Sequence, residues 1–215
     1  MNIPFKALPG YNELFLDYIA DFQSLRQFYE YDYASQDELK KCAEQVSESY
    51  KTGRQFFRDD LTSILLGQNQ NFGSGEKAIR NISLLNQHNT LAVVTGQQVG
   101  LLTGPMYTVI KALNTVQLAG RLAKLFPEYN FVPVFWLESD DHDFLEINNI
   151  TVINKDYEVQ KFSYFENGSE KEKYLTPAGR IVLDEHISGL IDGLESSLGA
   201  TDFSGELFKT IRKCY

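Results

Sequence analysis

The feature that most constrains this chain is a short apolar run, Leu91-Ala92-Val93-Val94, that ends in a glycine-rich turn. A long amphipathic stretch and a second apolar run, Phe131–Leu137, follow it. A continuous apolar run bounded by turn residues suits a strand buried on both faces, the pattern of a parallel sheet. Gly104-Pro105 supplies a helix start, because proline is favoured at the first helical position. Met106, Val109, Ile110, Leu113, Val116, Ala119, Ala123 and Phe126 are predicted to line one helix face, and Pro127 helps to end it. Pro133 removes one ladder bond, which places it near a sheet edge or a strand start. The predicted unit is β-loop-α-β with a right-handed crossover, hence an α/β class with a partial parallel sheet.

The flanks have different textures. Leu14, Tyr18, Phe22, Leu25 and Phe28 recur at helical spacing over residues 10–31. Ser35-Gln36-Asp37-Glu38 fits a capping box, so a second helix starts there and runs through Leu39, Ala43 and Val46. Gly53 interrupts before a third stretch with Phe57, Leu61, Ile64 and Leu65; a loop at Asn71–Gly75 and a short helix at Glu76–Gln87 follow. Tyr29-Glu30-Tyr31-Asp32-Tyr33 reads as a packing seam. Residues 1–90 are thus expected to be a helical lead-in packing on the core, and 91–148 the first half of an α/β core. Residues 149–186 read as a β-rich insertion, with strands at Ile150–Ile153, Tyr157–Tyr164 and Arg180–Leu183. Residues 187–215 read as two helices, near Ile187–Leu198 and Ser204–Tyr215. One βαβ unit falls short of a full doubly wound sheet. The chain also stops within an amphipathic stretch (Leu207, Ile211, Cys214), so the expectation is a truncated core or one completed by a partner.

Charge narrows the function classes. The 215 residues carry a formal net charge of −9, against the cationic surface that nucleic acid or an anionic membrane requires. Backbone amides can still build a local anion site. The two cysteines, Cys42 and Cys214, stand in no motif and suit a reducing cytoplasm. No apolar run approaches the roughly 20 residues of a membrane span, and the N-terminus is not a signal peptide.

Two constellations carry candidate chemistry. In Thr95-Gly96-Gln97-Gln98-Val99-Gly100-Leu101-Leu102-Thr103-Gly104-Pro105-Met106-Tyr107, three glycines lie between strand and helix. Glycine permits φ > 0 and close backbone approach, and a helix start offers free N–H groups, which makes a candidate phosphate or carboxylate site. It is neither a Walker loop nor a dinucleotide fingerprint, since the glycines fall four apart. Lys111 lies about two turns into the helix, at the limit of reach. An ordinary tight βα connection would use the same residues. The second constellation, Glu138-Ser139-Asp140-Asp141-His142-Asp143-Phe144-Leu145-Glu146, holds five carboxylates in nine residues at a strand end. Such a cluster needs cations, hydrogen bonds or a substrate amine to offset repulsion. His142 is a candidate acid, base or donor, and Asp140 or Asp141 a candidate holder of an ammonium group or a Mg²⁺-nucleotide. A solvated acidic loop is the alternative, and one histidine among carboxylates does not predict a zinc site. In a parallel pair the two clusters open on the same edge. His88 and His186 read as surface or capping residues. Arg54 and Arg58 could reach a phosphate, with a solvated face as the alternative.

Thr95-Gly96-Gln97-Gln98-x-Gly100-Leu101-x-x-Gly104-Pro105-x-Tyr107-Thr108-x-x-Lys111 resembles the signature of the bacillithiol-biosynthesis cysteine-adding enzymes. Val132–Trp136 followed by Asp140-Asp141-His142-Asp143 and Glu146-Ile147-Asn148 is similar to that family's second signature, which usually carries Glu where Asp140 stands. Phe28-Tyr29, Arg58 and Asn81-Ile82 also fit. The resemblance implies a Rossmann-like core related to class I aminoacyl-tRNA synthetases, with inserted segments and a later coiled coil that makes a homodimer. It implies ATP, with Mg²⁺, and attachment of cysteine to glucosaminyl-malate. It also implies that the rest of the core lies beyond these residues. On this reading Glu138, Asp140, Asp141 and His142 are the candidate catalytic residues. Thr95, Gly96, Gln97, Gln98, Gly100, Gly104, Pro105, Tyr107 and Lys111 are the candidate substrate or phosphate ligands. The competing readings are a non-catalytic module for a small anion or nucleotide, and an assembly fragment needing a partner chain.

Overall fold

The computed structural model describes residues 3–50, 57–164 and 176–215. Gly53 and Arg54 lie outside them, as does part of the expected β-rich insertion. The chain divides into two compact units, residues 1–92 with 120–132, and residues 93–119 with 133–215.

The first unit is mostly helical. Helices α1 (Glu13–Ala20), α2 (Gln36–Ser49), α3 (Arg58–Asn71) and α4 (Glu76–Leu84) fall near their expected places. The single helix expected over 10–31 does not form. α1 ends at Ala20, a 3₁₀ turn covers Phe22–Leu25, and Phe28 is left exposed while Phe22 and Leu25 are buried. The change of direction lets Tyr18 stack on Tyr33 with ring centroids 5.0 Å apart, the aromatic seam that the composition suggested. Ser35 caps α2 by accepting from the Glu38 N–H, as the box predicts. The return half of the box is absent, because the Glu38 carboxylate instead takes the Arg26 guanidinium at 2.5 and 2.7 Å and the Asp32 N–H. Arg58 is half-buried. Its guanidinium donates to the carbonyls of Leu85, Gln87 and Thr90 at 2.8, 2.7 and 3.1 Å.

Strands β1 (Thr90–Gln98) and β2 (Asn130–Glu138), joined through helix α5 (Met106–Leu125), form a two-stranded sheet. Asn130 N–H donates to Asn89 O at one end, and Val99 N–H to Glu138 O at the other, so the strands run parallel. β1 is longer than its apolar run. Thr95 to Gln98 continue the strand rather than beginning the loop. Pro133 sits in β2, one of two strands of this sheet among the described residues, where an edge position tolerates the missing N–H. The expected face of α5 is reversed along its first half. Met106, Val109, Ile110, Leu113 and Val116 are exposed, while Thr108, Thr115, Ala119, Leu122 and Phe126 are buried. Of the apolar residues predicted to face inward, only Ala119 and Phe126 are buried.

The second unit adds α6 (Phe144–Ile147) and a hairpin of β3 (Asn149–Ile153) and β4 (Val159–Ser163), antiparallel with Ile150 opposite Phe162. Helices α7 (His186–Leu198) and α8 (Ser204–Cys214) follow as expected. No strand forms over Arg180–Leu183; Ala178–Arg180 is a 3₁₀ turn and the backbone after it is irregular. The core of this unit gathers Leu101, Tyr164, Ile187, Ile191, Leu194 and Phe208, with Val152 and Phe162 packed on it. Leu101 brings the turn after β1 into that core. Among the described residues no helix is long and apolar enough to cross a membrane.

Candidate functional site

The glycines of the turn have three separate reasons. A Cβ at Gly96 would sit 2.9 Å from the Trp136 carbonyl oxygen and 3.0 Å from its Cβ, so only glycine allows β1 and β2 to approach there. Gly100 is extended, and a Cβ on it would meet Gly104 Cα at 3.2 Å. Gly104 has φ 68° and ψ −147°, a region closed to side-chain-bearing residues. Between them Leu102 (φ 52°) and Thr103 (φ 74°) also adopt positive φ. Such residues persist only where surrounding contacts over-determine them. Leu102 packs against the core cluster, and its N–H donates to the Tyr215 hydroxyl at 2.8 Å.

Extension of β1 to Gln98 sets the polar end of the site, since successive strand residues point to opposite sides. Gln97 turns toward α5, where its Oε1 accepts from Lys111 Nζ at 3.0 Å and its Nε2 donates to the Tyr107 hydroxyl at 3.1 Å. Lys111 therefore reaches the strand end, not the loop. Gln98 turns toward the residues after β2, and its Nε2 donates to the Asp141 carboxylate. The other Asp141 oxygen accepts the N–H groups of His142 and Asp143 at 2.7 and 3.2 Å. The Gln98 amide foremost, then these backbone donors, hold the Asp141 carboxyl below the usual carboxylate range. Asp141 is thus a fixed, ionised acceptor, poorly suited to take up a proton near neutral pH.

The remaining acids are more open. Glu138 is half-buried and accepts from the Trp136 indole N–H at 3.1 Å, whereas Asp140 and His142 are exposed. Asp143 caps α6 through the Glu146 N–H. A cavity of about 560 Å³ opens beside the turn. Of the ligand candidates, Gln97, Gln98, Gly100, Gly104, Pro105 and Tyr107 line it. Of the acidic cluster, Glu146 reaches its wall, and Glu138, Asp140, Asp141 and His142 do not. Thr95 and Gly96 lie deeper in β1 and do not line it. The cavity is also lined by Ile147, part of the second signature, and by residues 149–151, which the sequence reading assigned only to the β-rich insertion. The visible signal there was the polar pair Asn149 and Thr151, two apart on one strand face. Among the described residues no group of three His, Cys, Asp or Glu side chains converges to hold a metal ion.

A family model described as "Bacillithiol biosynthesis BshC, N-terminal Rossmann-like domain" matches residues 1–215. A protein of Chloroherpeton thalassium named "Putative cysteine ligase BshC" is 36% identical over 223 residues, covering 100% of this chain and 38% of the relative. One of Salinibacter ruber with the same name is 35% identical over 212 residues, covering 99% of this chain and 37% of the relative. A third, from Desulforamulus reducens, is 42% identical over 137 residues, covering 63% of this chain and 24% of the relative. The chain spans less than two fifths of the length of these curated relatives.

Proposed function

Because the chain belongs to the bacillithiol biosynthesis BshC family and has its Rossmann-like N-terminal fold, we propose that it forms part of the site of a cysteine ligase. The reaction joins the carboxylate of cysteine to the amine of glucosaminyl-malate. ATP, with Mg²⁺, supplies the activation of the carboxylate. A cysteine carboxylate oxygen would displace pyrophosphate from the nucleotide; the amine would then form the amide bond as the acyl C–O bond breaks, AMP leaves and the amine gives up a proton.

The observation that carries this reading is the hydrogen bond from Gln98 to Asp141. It joins the end of the glycine-turn strand to the acid-rich turn, the two constellations that the family signatures single out. The residues suit the ligands in three ways. The cavity volume falls in the range of small-molecule sites, roughly 300–1,000 Å³. Gln97, Tyr107 and Lys111 form a donor side for phosphate or carboxylate oxygens. Glu146 on the cavity lining offers an acceptor for an amino group, and Asp141, ionised and anchored, stands with Asp140, Glu138 and His142 in the adjoining turn, outside that lining. Pre-aimed dipoles and charges of this kind often supply the largest part of catalysis.

A mixture of ATP, cysteine and glucosaminyl-malate, incubated with the protein and followed by mass spectrometry, is expected to yield the cysteinyl thiol product. Gln98→Leu is expected to lower kcat/KM about 10- to 100-fold, in line with loss of one positioning contact. Absence of product under all nucleotide and magnesium conditions overturns the ligase reading. Ligand binding without turnover favours a non-catalytic module.

A further inference from the structure

Lysine has three donors and no acceptor, so the direction of the Lys111–Gln97–Tyr107 contacts is determined chemically. Lys111 Nζ must donate to Gln97, which identifies the contacted atom, 3.0 Å away, as the amide oxygen. The other end of the same amide is then the NH₂ group, which must donate to the Tyr107 hydroxyl 3.1 Å away. The phenolic oxygen is thereby used as an acceptor. Its own hydrogen has no acceptor among the described residues, and Tyr107 lines the 560 Å³ cavity. Lys111 is partly buried, makes no ion pair among the described residues, and lies 5.6 Å from the Tyr107 ring centre. A cation at the head of a hydrogen-bond chain polarises each bond after it, which makes the last O–H a stronger donor.

We propose that Lys111, Gln97 and Tyr107 form a one-directional donor relay, in which Tyr107 donates its phenolic hydrogen to a ligand oxyanion, a carboxylate or phosphoryl oxygen, in this cavity. Tyr107 touches the ligand; Gln97 and Lys111 are positioning residues. Glu146, which carries an acceptor, lines the same cavity, so its lining suits a ligand with an anionic end and a cationic or hydroxyl-bearing end. The proposal rests on the ligase reading only for its choice of ligands.

Calorimetry on the protein tests it with two pairs of probes: cysteine against cysteamine, which lacks the carboxylate, and ATP against adenosine. Inorganic phosphate serves as a minimal oxyanion. Tyr107→Phe is expected to weaken one anionic probe about 10-fold, as for a lost charge-assisted hydrogen bond, and to leave its uncharged-end analogue unchanged. The probe affected identifies the source of the oxyanion. Gln97→Glu tests the direction. The introduced carboxylate can only accept, so it takes hydrogens from both Lys111 and Tyr107 and turns the phenol away from the cavity. It is expected to match Tyr107→Phe in binding while keeping the melting temperature. Lys111→Met should weaken the same probe and add little to Tyr107→Phe in the double variant.

Unchanged binding in Tyr107→Phe, equal losses for anionic and uncharged probes, additive losses in the double variant, or no binding of any oxyanion by the unaltered protein would each overturn the relay. The two readings fail separately. Relay-dependent binding without product sinks only the ligase, and product formation with unaffected binding in Tyr107→Phe sinks only the relay.

Discussion

Gly96 is the residue with the least freedom in the site. Its neighbour across the sheet is main chain, the Trp136 carbonyl, which cannot rotate away as a side chain could. Gly96→Ala is therefore expected to push the parallel strands apart and to cost about 1–3 kcal/mol, the usual range for overpacking. Urea unfolding followed by circular dichroism measures it, and a change within error would show that the strands yield easily. Gly104 is constrained by φ rather than by space, so its replacement strains the backbone without a clash. These two reasons look alike in a sequence, where three glycines four apart suggest one common role. A glycine-bearing connection between strand and helix was legible for the turn as a whole. That Gly96 serves strand pairing was not, because the partner lies 40 positions away. The reach of Lys111 was hidden for a related reason. Its partner is on β1, and the strand had to be four residues longer than its apolar run to bring Gln97 under it.

At the scale of elements, strong local signals survived and weak ones did not. The start of α2 was legible from its Ser35 cap, and α7 and α8 from their apolar spacing. The first expected helix failed at Asp21, where φ −141° and ψ 61° break the helical path and satisfy an aromatic seam instead. The apolar face of α5 was a sound periodicity with the wrong direction, since a stripe does not say which way it points. The loop between α1 and α2 carries its own prediction. Arg26 first, then the Asp32 N–H, lowers the Glu38 carboxyl from its ordinary 4.5 to about 2. A carboxyl lowered by folding stabilises the fold fully above its unfolded value. That contribution is lost as pH falls from about 4.5 through about 2. The melting temperature of the unaltered protein is expected to fall more steeply across this window than that of Glu38→Gln. Parallel curves would remove the pair from the stability of this loop.

For the whole molecule, the exposed stripe of α5 is the surface that composition alone would have placed inside. Leu113 is 59% and Met106 75% exposed, in a chain that spans under two fifths of its curated relatives. Contiguous apolar surface of this kind binds hydrophobic dyes and promotes association. Leu113→Glu is expected to change stability by less than about 0.5 kcal/mol, since nothing buried is lost. It should also lower dye fluorescence. A destabilisation of about 2 kcal/mol or more, the cost of altering a buried leucine, would mean that the stripe is covered.

Arg58 sets a boundary on how small a working version of this fold can be made. Its guanidinium is the shared donor for three carbonyls at the point where the last lead-in helix gives way to the first strand. A trimmed protein that kept every ligand-facing side chain but began after α3 would leave those three oxygens without that donor. The strand that carries Gln97 and Gln98 would then start from a loose anchor, so the helices that touch no substrate are still part of the smallest unit that can be excised.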